Sequence, residues 1–338
     1  MPSRTAVQII SSGVVGIRII PAPGIRDGYI IAETRAFALN PTDCHHVDGL
    51  GGPGTIVGCD WSGVVKEVDR DVTRSKKGDE VYGICHGDIG NTVELEDGAY
   101  ADIIACKEHA EFHKPKDLSF EEAASLVAAL VTVGQADDVC LRSECVDGHT
   151  AIQAAKLSGC RVYAVCSPSN FDLVKSRGAD HWFDCNVPEC VEQIQSVAGS
   201  SITYFVDCVG SQESSNFCGK VLSPAGGHNL KAPLPESFKA LRPEEAAIAM
   251  TAIAYTLLGE TFELPGGIVF PADKDEEAFA KKWAVVIEKL VLSQYIRPHP
   301  VDIRQGGGGW TEYPRAWMNL EGEVQEGRKL YIQGVDDA

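Results

Sequence analysis

The stretch VCLRSECVDGHTAIQAAKL, residues 139–157, has the layout of a phosphate-binding turn. A short apolar run is followed by a polar turn and then by apolar residues at helical spacing, which predicts a strand, a turn and a helix. Such a unit binds the pyrophosphate of a dinucleotide at the start of its helix, where glycine lets the backbone approach the phosphates. Gly148 is the only glycine in this turn and is therefore the predicted contact.

A second group of polar residues, CSPSN at 166–170, follows the next predicted strand, where the adenine ribose of a dinucleotide should lie. Ser167 and Asn170 offer hydrogen bonds, and Lys175 adds a positive charge one helical turn later. These side chains would suit a phosphate group on that ribose. A serine followed by a proline is equally typical of an ordinary turn and helix cap, so both interpretations stand.

The segments that must position these residues alternate between strand and helix patterns after Ala136. Repeated βα units predict a parallel, doubly wound sheet with helices on both faces. The predicted strands are 138–143, 161–167, 181–184 and 202–210. Each is followed by a predicted helix, and these helices are 149–159, 169–179, 188–199 and 211–223.

The rest of the chain predicts a β-rich unit that takes up both ends of the sequence. Short strand patterns separated by turn residues run from residue 5 to about 110. A helix is predicted over 119–135, with Ser119 and Glu122 as its capping box. After a long helix at 275–294, two strand patterns near the C-terminus need a sheet to join, and we expect them to return to the N-terminal unit.

Composition narrows the class of protein. The net charge of −18 would repel nucleic acid and anionic membrane surfaces. The twelve cysteines form no CxxC pair, and the start of the chain lacks the layout of a signal peptide, so we expect reduced thiols and a cytoplasmic location. No apolar run is long enough to span a bilayer.

Several motifs, taken together, resemble the medium-chain dehydrogenase/reductase superfamily, and within it the zinc-independent trans-acting enoyl reductases of fungal polyketide pathways. They occur in the family order over nearly the whole chain. The motifs are NPTDCHHVDG, IVGCDWSGVVKEV, GDEVYG, SFEEAASL, VTVGQ, CSPSNFDLVKSRGAD, LSPAGG, AYTLLGETFEL and IRPHPV.

The resemblance implies an α/β protein with two domains. A GroES-like catalytic domain would comprise residues 1–136, completed by 297–338, and a Rossmann-type cofactor-binding domain residues 137–296. It further implies NADPH as reductant, hydride transfer to an α,β-unsaturated thioester, a polyketide synthase or its acyl carrier domain as partner, and a monomeric enzyme.

The resemblance also assigns residues to the site. Thr132 matches a family threonine, and His45 stands where the family has a lysine, so these two are the candidate catalytic residues. His45 has a side chain suited to proton donation near neutral pH, although an exposed histidine without a role fits the same polar segment. Leu258 and Gly259, in a segment that passes close to the nicotinamide in the family, and Val209 complete the predicted cofactor contacts.

The residues argue against a catalytic metal. The zinc-dependent branch of the superfamily has a Gly-His-Glu motif where this chain has Gly58, Cys59 and Asp60, and the four-cysteine zinc lobe of that branch is missing. We therefore predict no metal, and we interpret Cys59 as a packed core thiol.

The turn at 142–148 departs from the family, because only Gly148 remains of the Gly-Gly-Ser-x-x-x-Gly pattern. Glu144 and Asp147 bring negative charge to a site for phosphates, and a helix end and linker of the family are missing before Asp137. Three explanations stay open: the turn binds NADPH through backbone amides, the cofactor function is lost, or this stretch reflects a misread intron.

These departures leave three functional hypotheses. The first is enoyl reduction with NADPH. The second is a cyclase or isomerase of a polyketide intermediate that uses the same cleft without a cofactor, with His45 or Thr132 as donors. The third is a non-catalytic partner that only docks onto a synthase.

Overall fold

The structure is a computed structural model that describes residues 2–87, 96–140, 148–208, 211–223, 227–230, 247–250, 253–264, 267–304 and 329–333. The chain forms two compact units. The first comprises Met1–Ala128, Ala254–Gln294 and Pro298–Ala338, and the second comprises Ala129–Ile253 and Tyr295–Arg297. The domain boundaries given by the resemblance stay a prediction.

The described strands are short and follow the sequence pattern closely. In chain order they are β1 Ser3–Ser11, β2 Val14–Pro21, β3 Tyr29–Ala38, β4 Asp60–Val68, β5 Glu80–Ile84, β6 Ile103–Lys107, β7 Glu111–His113, β8 Tyr163–Cys166, β9 His181–Asp184, β10 Tyr204–Val206, β11 Gly227–Leu230, β12 Ala247–Met250, β13 Phe262–Leu264, β14 Ile268–Phe270, β15 Val301–Arg304 and β16 Lys329–Gln333.

A mostly antiparallel sheet forms the centre of the first unit, with the strands ordered β15-β16-β3-β4-β5-β7 and β6 also paired to β3. β3 is buried along nearly its whole length, as expected for a strand with neighbours on both sides. The tail strand β16 pairs with β3, with Tyr331 opposite Ala38. The prediction that the C-terminal strands return to the N-terminal β-rich unit is therefore confirmed.

The described helices are α1 Pro41–His45, α2 Phe120–Ala124, α3 Val127–Cys140, α4 His149–Leu157, α5 Phe171–Ser176, α6 Cys190–Ala198, α7 Gln212–Val221 and α8 Lys274–Leu292. The predicted capping box of α2 is present: Glu122 N–H donates to Ser119 Oγ at 3.1 Å, and Ser119 N–H donates to Glu122 Oε2 at 2.9 Å. Within the described ranges, no helix combines the length and apolarity that crossing a bilayer requires.

Two expectations around residues 119–143 were wrong. The single helix predicted over 119–135 is broken after α2, where Ser125 Oγ donates to the Glu122 carbonyl at 2.6 Å and so competes with the helical hydrogen bonds. The strand predicted from residue 138 is contradicted as well, since α3 continues to Cys140. No proline interrupts this stretch, so backbone hydrogen bonding carries the helix through both aspartates.

Parallel strands flanked by helices make up the second unit, as predicted. β8 pairs with β9, and β10, β11 and β12 pair in that order, all in parallel. Its core includes Ile152 of α4, Ala164 of β8 and Val174 of α5, which are 1–3% exposed. This apolar contact aligns α4 and α5 with the strands that precede the predicted cofactor residues.

A buried carboxyl group stands at the start of β7 in the first unit. Glu111 is 0% exposed, and its Oε1 accepts a hydrogen bond of 2.7 Å from Ser75 Oγ. Burial raises the pKa of Glu111 to about 7, against the opposing effects of the Ser75 bond and the Arg74 charge. Nearby, Glu288 of α8 accepts from His113 Nδ1 at 2.9 Å, and this bond raises the pKa of His113.

Glu111 should make stability fall as pH rises. Between its ordinary pKa of 4.5 and its folded value of about 7, the folded state holds a proton that the unfolded state has released. We expect Glu111→Gln to become more stable relative to wild type as pH rises from 5 to 8, by up to about 3 kcal/mol. Urea unfolding at several pH values measures this difference.

The raised pKa of His113 also makes stability fall as pH rises. Its contribution to the free energy of unfolding is present below pH 6.5 and is lost as pH rises through the pKa of the folded state. Because His113 is present in both proteins, the difference curve reports mainly on Glu111. Glu80→Gln, which removes a half-exposed carboxylate on β5, is the control for the loss of one charge. Equal changes in both variants would refute the assignment to Glu111.

Candidate active site

Gly148 begins α4 in a conformation that suits glycine. Its φ is +83° and its ψ is 129°, and a Cβ built on it would lie 3.1 Å from Cys208 Sγ. Cys208 follows β10, so the start of α4 lies close against the end of that strand. Such a helix start presents backbone N–H groups and the positive end of the helix dipole to an anion.

The first helical residue after Gly148 adds no charge to this position. His149 is buried, and burial lowers its pKa to about 4, so its imidazole is neutral at physiological pH. Binding of an anion here would therefore depend on the backbone and the helix dipole. The rest of the predicted turn, residues 141–147, lies outside the described residues, as does Val209.

Ser167 and Asn170 are brought together, as the sequence suggested for a shared site. Asn170 Nδ2 donates to Ser167 Oγ at 3.2 Å, and both side chains are half-buried at the end of β8. Lys175 makes a different contact: its Nζ lies over the Trp182 ring, 5.4 Å from the ring centroid. Ser167 stands at the N-cap position of a short 3-10 helix, Pro168–Asn170, but its side chain makes no capping hydrogen bond to the backbone there.

Leu258 and Gly259 belong to the first unit, and their contacts there are specific. Leu258 is 4% exposed, and its carbonyl accepts a 2.7 Å hydrogen bond from Lys107 Nζ. Gly259 has a φ of +69°, and a Cβ on it would lie 2.9 Å from the Glu277 side chain. The backbone of this segment is thus held by side chains of β6 and α8.

The two candidate catalytic residues belong to different units. His45 is exposed at the last position of α1, and Thr132 is half-buried in α3. Their roles stay predictions, because neither contacts another predicted site residue among the contacts of the described chain.

A buried polar cluster in the first unit was not predicted as a group. It contains His46 beside α1, Cys59 before β4, and Tyr255 in a 3-10 helix at Ala254–Leu258. The Tyr255 hydroxyl is 2.7 Å from Cys59 Sγ, and the His46 and Tyr255 rings are 5.9 Å apart. Burial lowers the pKa of His46 to about 4, against the opposing charge of Asp43. Cys59 is 2% exposed, as expected for a packed thiol.

Asp43 anchors this cluster. It is 0% exposed, and its Oδ2 accepts hydrogen bonds from Asn40 N–H at 2.7 Å and from the Tyr100 hydroxyl at 2.6 Å. The Cys59 thiol donates weakly to Asp43 Oδ1 at 3.7 Å. The Cys59 thiol thus contacts both the Asp43 carboxylate and the Tyr255 hydroxyl, and it joins these two groups in one buried polar cluster.

A second histidine, His86, also packs against Tyr255. Its ring is 4.9 Å from the Tyr255 ring and 5.1 Å from that of Phe262. The described residues contain no group of three or more histidine, cysteine, aspartate or glutamate side chains arranged to hold a metal ion.

Comparison with protein families matches both parts of the chain. Residues 26–116 match the alcohol dehydrogenase GroES-like domain, and residues 148–230 match the zinc-binding dehydrogenase family. These matches confirm the predicted fold class, a GroES-like domain with a Rossmann-type domain.

Individual proteins are similar over most of their length. The trans-enoyl reductase resD of Aspergillus sclerotiorum is 33% identical over 85% of this chain and 88% of its own. The trans-enoyl reductase ACTTS2 of Alternaria alternata is 33% identical over 98% of both chains. Among solved structures, the CurK enoyl reductase covers 98% of this chain and 99% of its own with a TM-score of 0.77, and its 16% identity indicates a shared fold alone.

Proposed function

This chain belongs to the medium-chain dehydrogenase/reductase superfamily and, within it, to the trans-enoyl reductases, and we propose that it reduces an α,β-unsaturated polyketide thioester with NADPH. The observation that carries the proposal is similarity to trans-enoyl reductases over nearly the whole chain. It favours reduction over a cofactor-independent cyclase or isomerase and over a non-catalytic synthase partner.

The described residues fit a dinucleotide. At the start of α4, Gly148 leaves open a space that a Cβ would fill. At the end of β8, Ser167 and Asn170 offer two polar side chains that bind each other. In our proposal Gly148 faces the pyrophosphate, Ser167, Asn170 and Lys175 hold the 2′-phosphate, and Leu258, Gly259 and Val209 line the nicotinamide. The bound cofactor supplies a hydride.

The remaining assignments follow from the same proposal. His45 provides the proton for the substrate α-carbon, and the Thr132 hydroxyl donates a hydrogen bond to the thioester. The substrate arrives on the acyl carrier domain of a polyketide synthase, and the enzyme acts as a monomer without a metal. The cytoplasmic location stays a prediction.

The proposed function is tested by comparing the amount of NADPH oxidised with the amount of product formed. Purified protein is mixed with NADPH and an α,β-unsaturated acyl pantetheine thioester, and the loss of NADPH absorbance is compared with the amount of saturated product. We expect one NADPH oxidised per product. Product formed from a pathway intermediate with no nicotinamide present would instead support the cyclase or isomerase, and a folded protein that binds no NADPH would refute the reductase.

Ser167→Ala is expected to weaken NADPH binding about tenfold and to leave NADH binding unchanged, because a hydrogen bond to a charged phosphate oxygen contributes about 1.5 kcal/mol or more. Calorimetric titration with each cofactor measures both affinities. Ser176→Ala is the control, since that hydroxyl donates to the Leu173 carbonyl at 2.7 Å within α5. An equal loss for NADH would contradict a role in recognising the 2′-phosphate.

A further inference from the structure

His86 is held in a fixed position just after β5. The neighbouring Cys85 N–H donates to the Cys59 carbonyl at 2.8 Å. On the other side, a Cβ at Gly87 would lie 1.9 Å from the Gly58 carbonyl oxygen, so the two backbones are in close contact. These contacts fix the backbone on both sides of His86 and restrict where its ring can lie.

The imidazole of His86 lacks a hydrogen-bond partner on either nitrogen among the described residues, although the residue is only 5% exposed. Other buried histidines of this unit differ: His46 Nδ1 is 3.5 Å from Thr42 Oγ1, and His109 Nε2 is 3.2 Å from the Leu257 carbonyl. A buried polar group without a partner is costly and uncommon in a folded protein. With no partner among the residues that the structure describes, both ring nitrogens are open to a bound molecule.

The surroundings of His86 select a neutral, oxygen-bearing partner. Its ring packs against the rings of Tyr255 and Phe262, which also contact each other at 6.2 Å, and burial lowers its pKa to about 4. The charged groups whose fields reach it are Glu260 and Lys107, which form an ion pair of 2.8 Å with each other. A neutral imidazole offers one N–H donor, which suits a carbonyl oxygen.

We infer that His86 is a substrate-contacting residue whose neutral imidazole donates a hydrogen bond to the thioester carbonyl oxygen of the acyl substrate. The inference rests on the proposed function and adds a residue to its site. It places this oxygen beside the Tyr255 ring, within the buried cluster anchored by Asp43.

Enoyl reduction gives this hydrogen bond a catalytic role. When a hydride forms a bond with the β-carbon, the electron pair of the carbon–carbon double bond moves toward the carbonyl carbon and negative charge collects on the carbonyl oxygen. A proton added at the α-carbon then restores the carbonyl group, while His86 keeps its own proton. A donor at this oxygen binds the charged state more tightly than the ground state, so its loss lowers kcat more than it raises KM.

The test is His86→Phe, which keeps a ring of similar size and removes both nitrogens. We expect kcat to fall roughly 100-fold, with KM changed by less than about fivefold. We also expect NADPH affinity to stay the same and the melting temperature to stay equal or rise, because a buried polar group without a partner has been removed. His86→Gln, which restores an N–H donor, should recover most of the lost kcat.

His113→Phe is the control, because it removes an imidazole from the same unit that already has a partner, the Glu288 carboxylate at 2.9 Å. It should lower stability and leave kcat close to that of the wild type. A His86→Phe enzyme with kcat within twofold of wild type would overturn the inference and leave the ring a water-binding core histidine. An equal loss of kcat in both variants would overturn it in favour of general packing.

Failure of the proposed function gives a different result. If wild-type protein oxidises no NADPH with any enoyl thioester, binding of a saturated acyl pantetheine thioester is measured by calorimetry for wild type and for His86→Phe. Weaker binding to the variant would preserve the contact with the carbonyl oxygen independently of hydride transfer. Equal binding would overturn the contact as well.

Discussion

Gly148→Ala is expected to weaken NADPH binding at least tenfold, measured by calorimetric titration of the purified protein. The φ of +83° and ψ of 129° at this position lie outside the regions open to residues with a Cβ, which costs such a residue about 1–3 kcal/mol. The new methyl group would also lie 3.1 Å from Cys208 Sγ, so the start of α4 must shift away from the end of β10. A shift at the helix start moves the backbone N–H groups that bind the phosphates.

The chain supplies a matched control at the other end of the same helix. Gly159 has a φ of +79°, and a Cβ there would meet nothing within 4 Å. Gly159→Ala should therefore cost stability through its positive φ and leave NADPH affinity within about twofold of wild type. If both variants lose affinity equally, the effect comes from strain in α4 and the phosphate contact at Gly148 is refuted.

Local patterns were sufficient to predict much of the fold. β3, the strand that pairs with three others in the first unit, lies within the predicted strand pattern YIIAETRAFAL, and α2 begins at the predicted Ser119 cap. Both features depend on residues that are adjacent in the sequence. The extension of α3 to Cys140 was missed because two aspartates and a change in apolar spacing were read as the start of a strand.

The buried cluster could not be predicted because its contacts join distant parts of the chain. Cys59 and Tyr255 are separated by 196 residues, and their contact requires the segment before α8 to pack against the first strands. The sequence also could not tell which of His45 and His46 is buried, for a different reason. α1 has only five residues and continues into a π-helical turn, so helical periodicity does not tell which imidazole is buried.

Asp43→Ala is expected to lower the free energy of unfolding by about 3 kcal/mol. The carboxylate accepts hydrogen bonds from Asn40 N–H and the Tyr100 hydroxyl, and it is 0% exposed. Its removal leaves the Asn40 N–H without this acceptor at the start of α1, and the Cys59 thiol loses its bond as well. Urea unfolding followed by circular dichroism measures the loss.

Asp48→Ala separates this effect from the loss of a charge. Asp48 lies in the helical turn that follows α1 and is exposed, so its replacement should change stability by less than about 0.5 kcal/mol. Asp43→Asn should fall between the two, because the amide oxygen can still accept from Asn40 or Tyr100. Equal stability of the Asp43→Ala and Asp48→Ala variants would refute the anchoring role of Asp43.

The same variant connects stability with the site. Because the Cys59 thiol contacts both Asp43 and the Tyr255 hydroxyl, loss of the carboxylate should release the Tyr255 ring against which His86 packs. We therefore expect Asp43→Ala to lower kcat by about tenfold at temperatures where the protein remains folded. Unchanged kcat in a folded Asp43→Ala protein would show that the buried cluster serves stability alone.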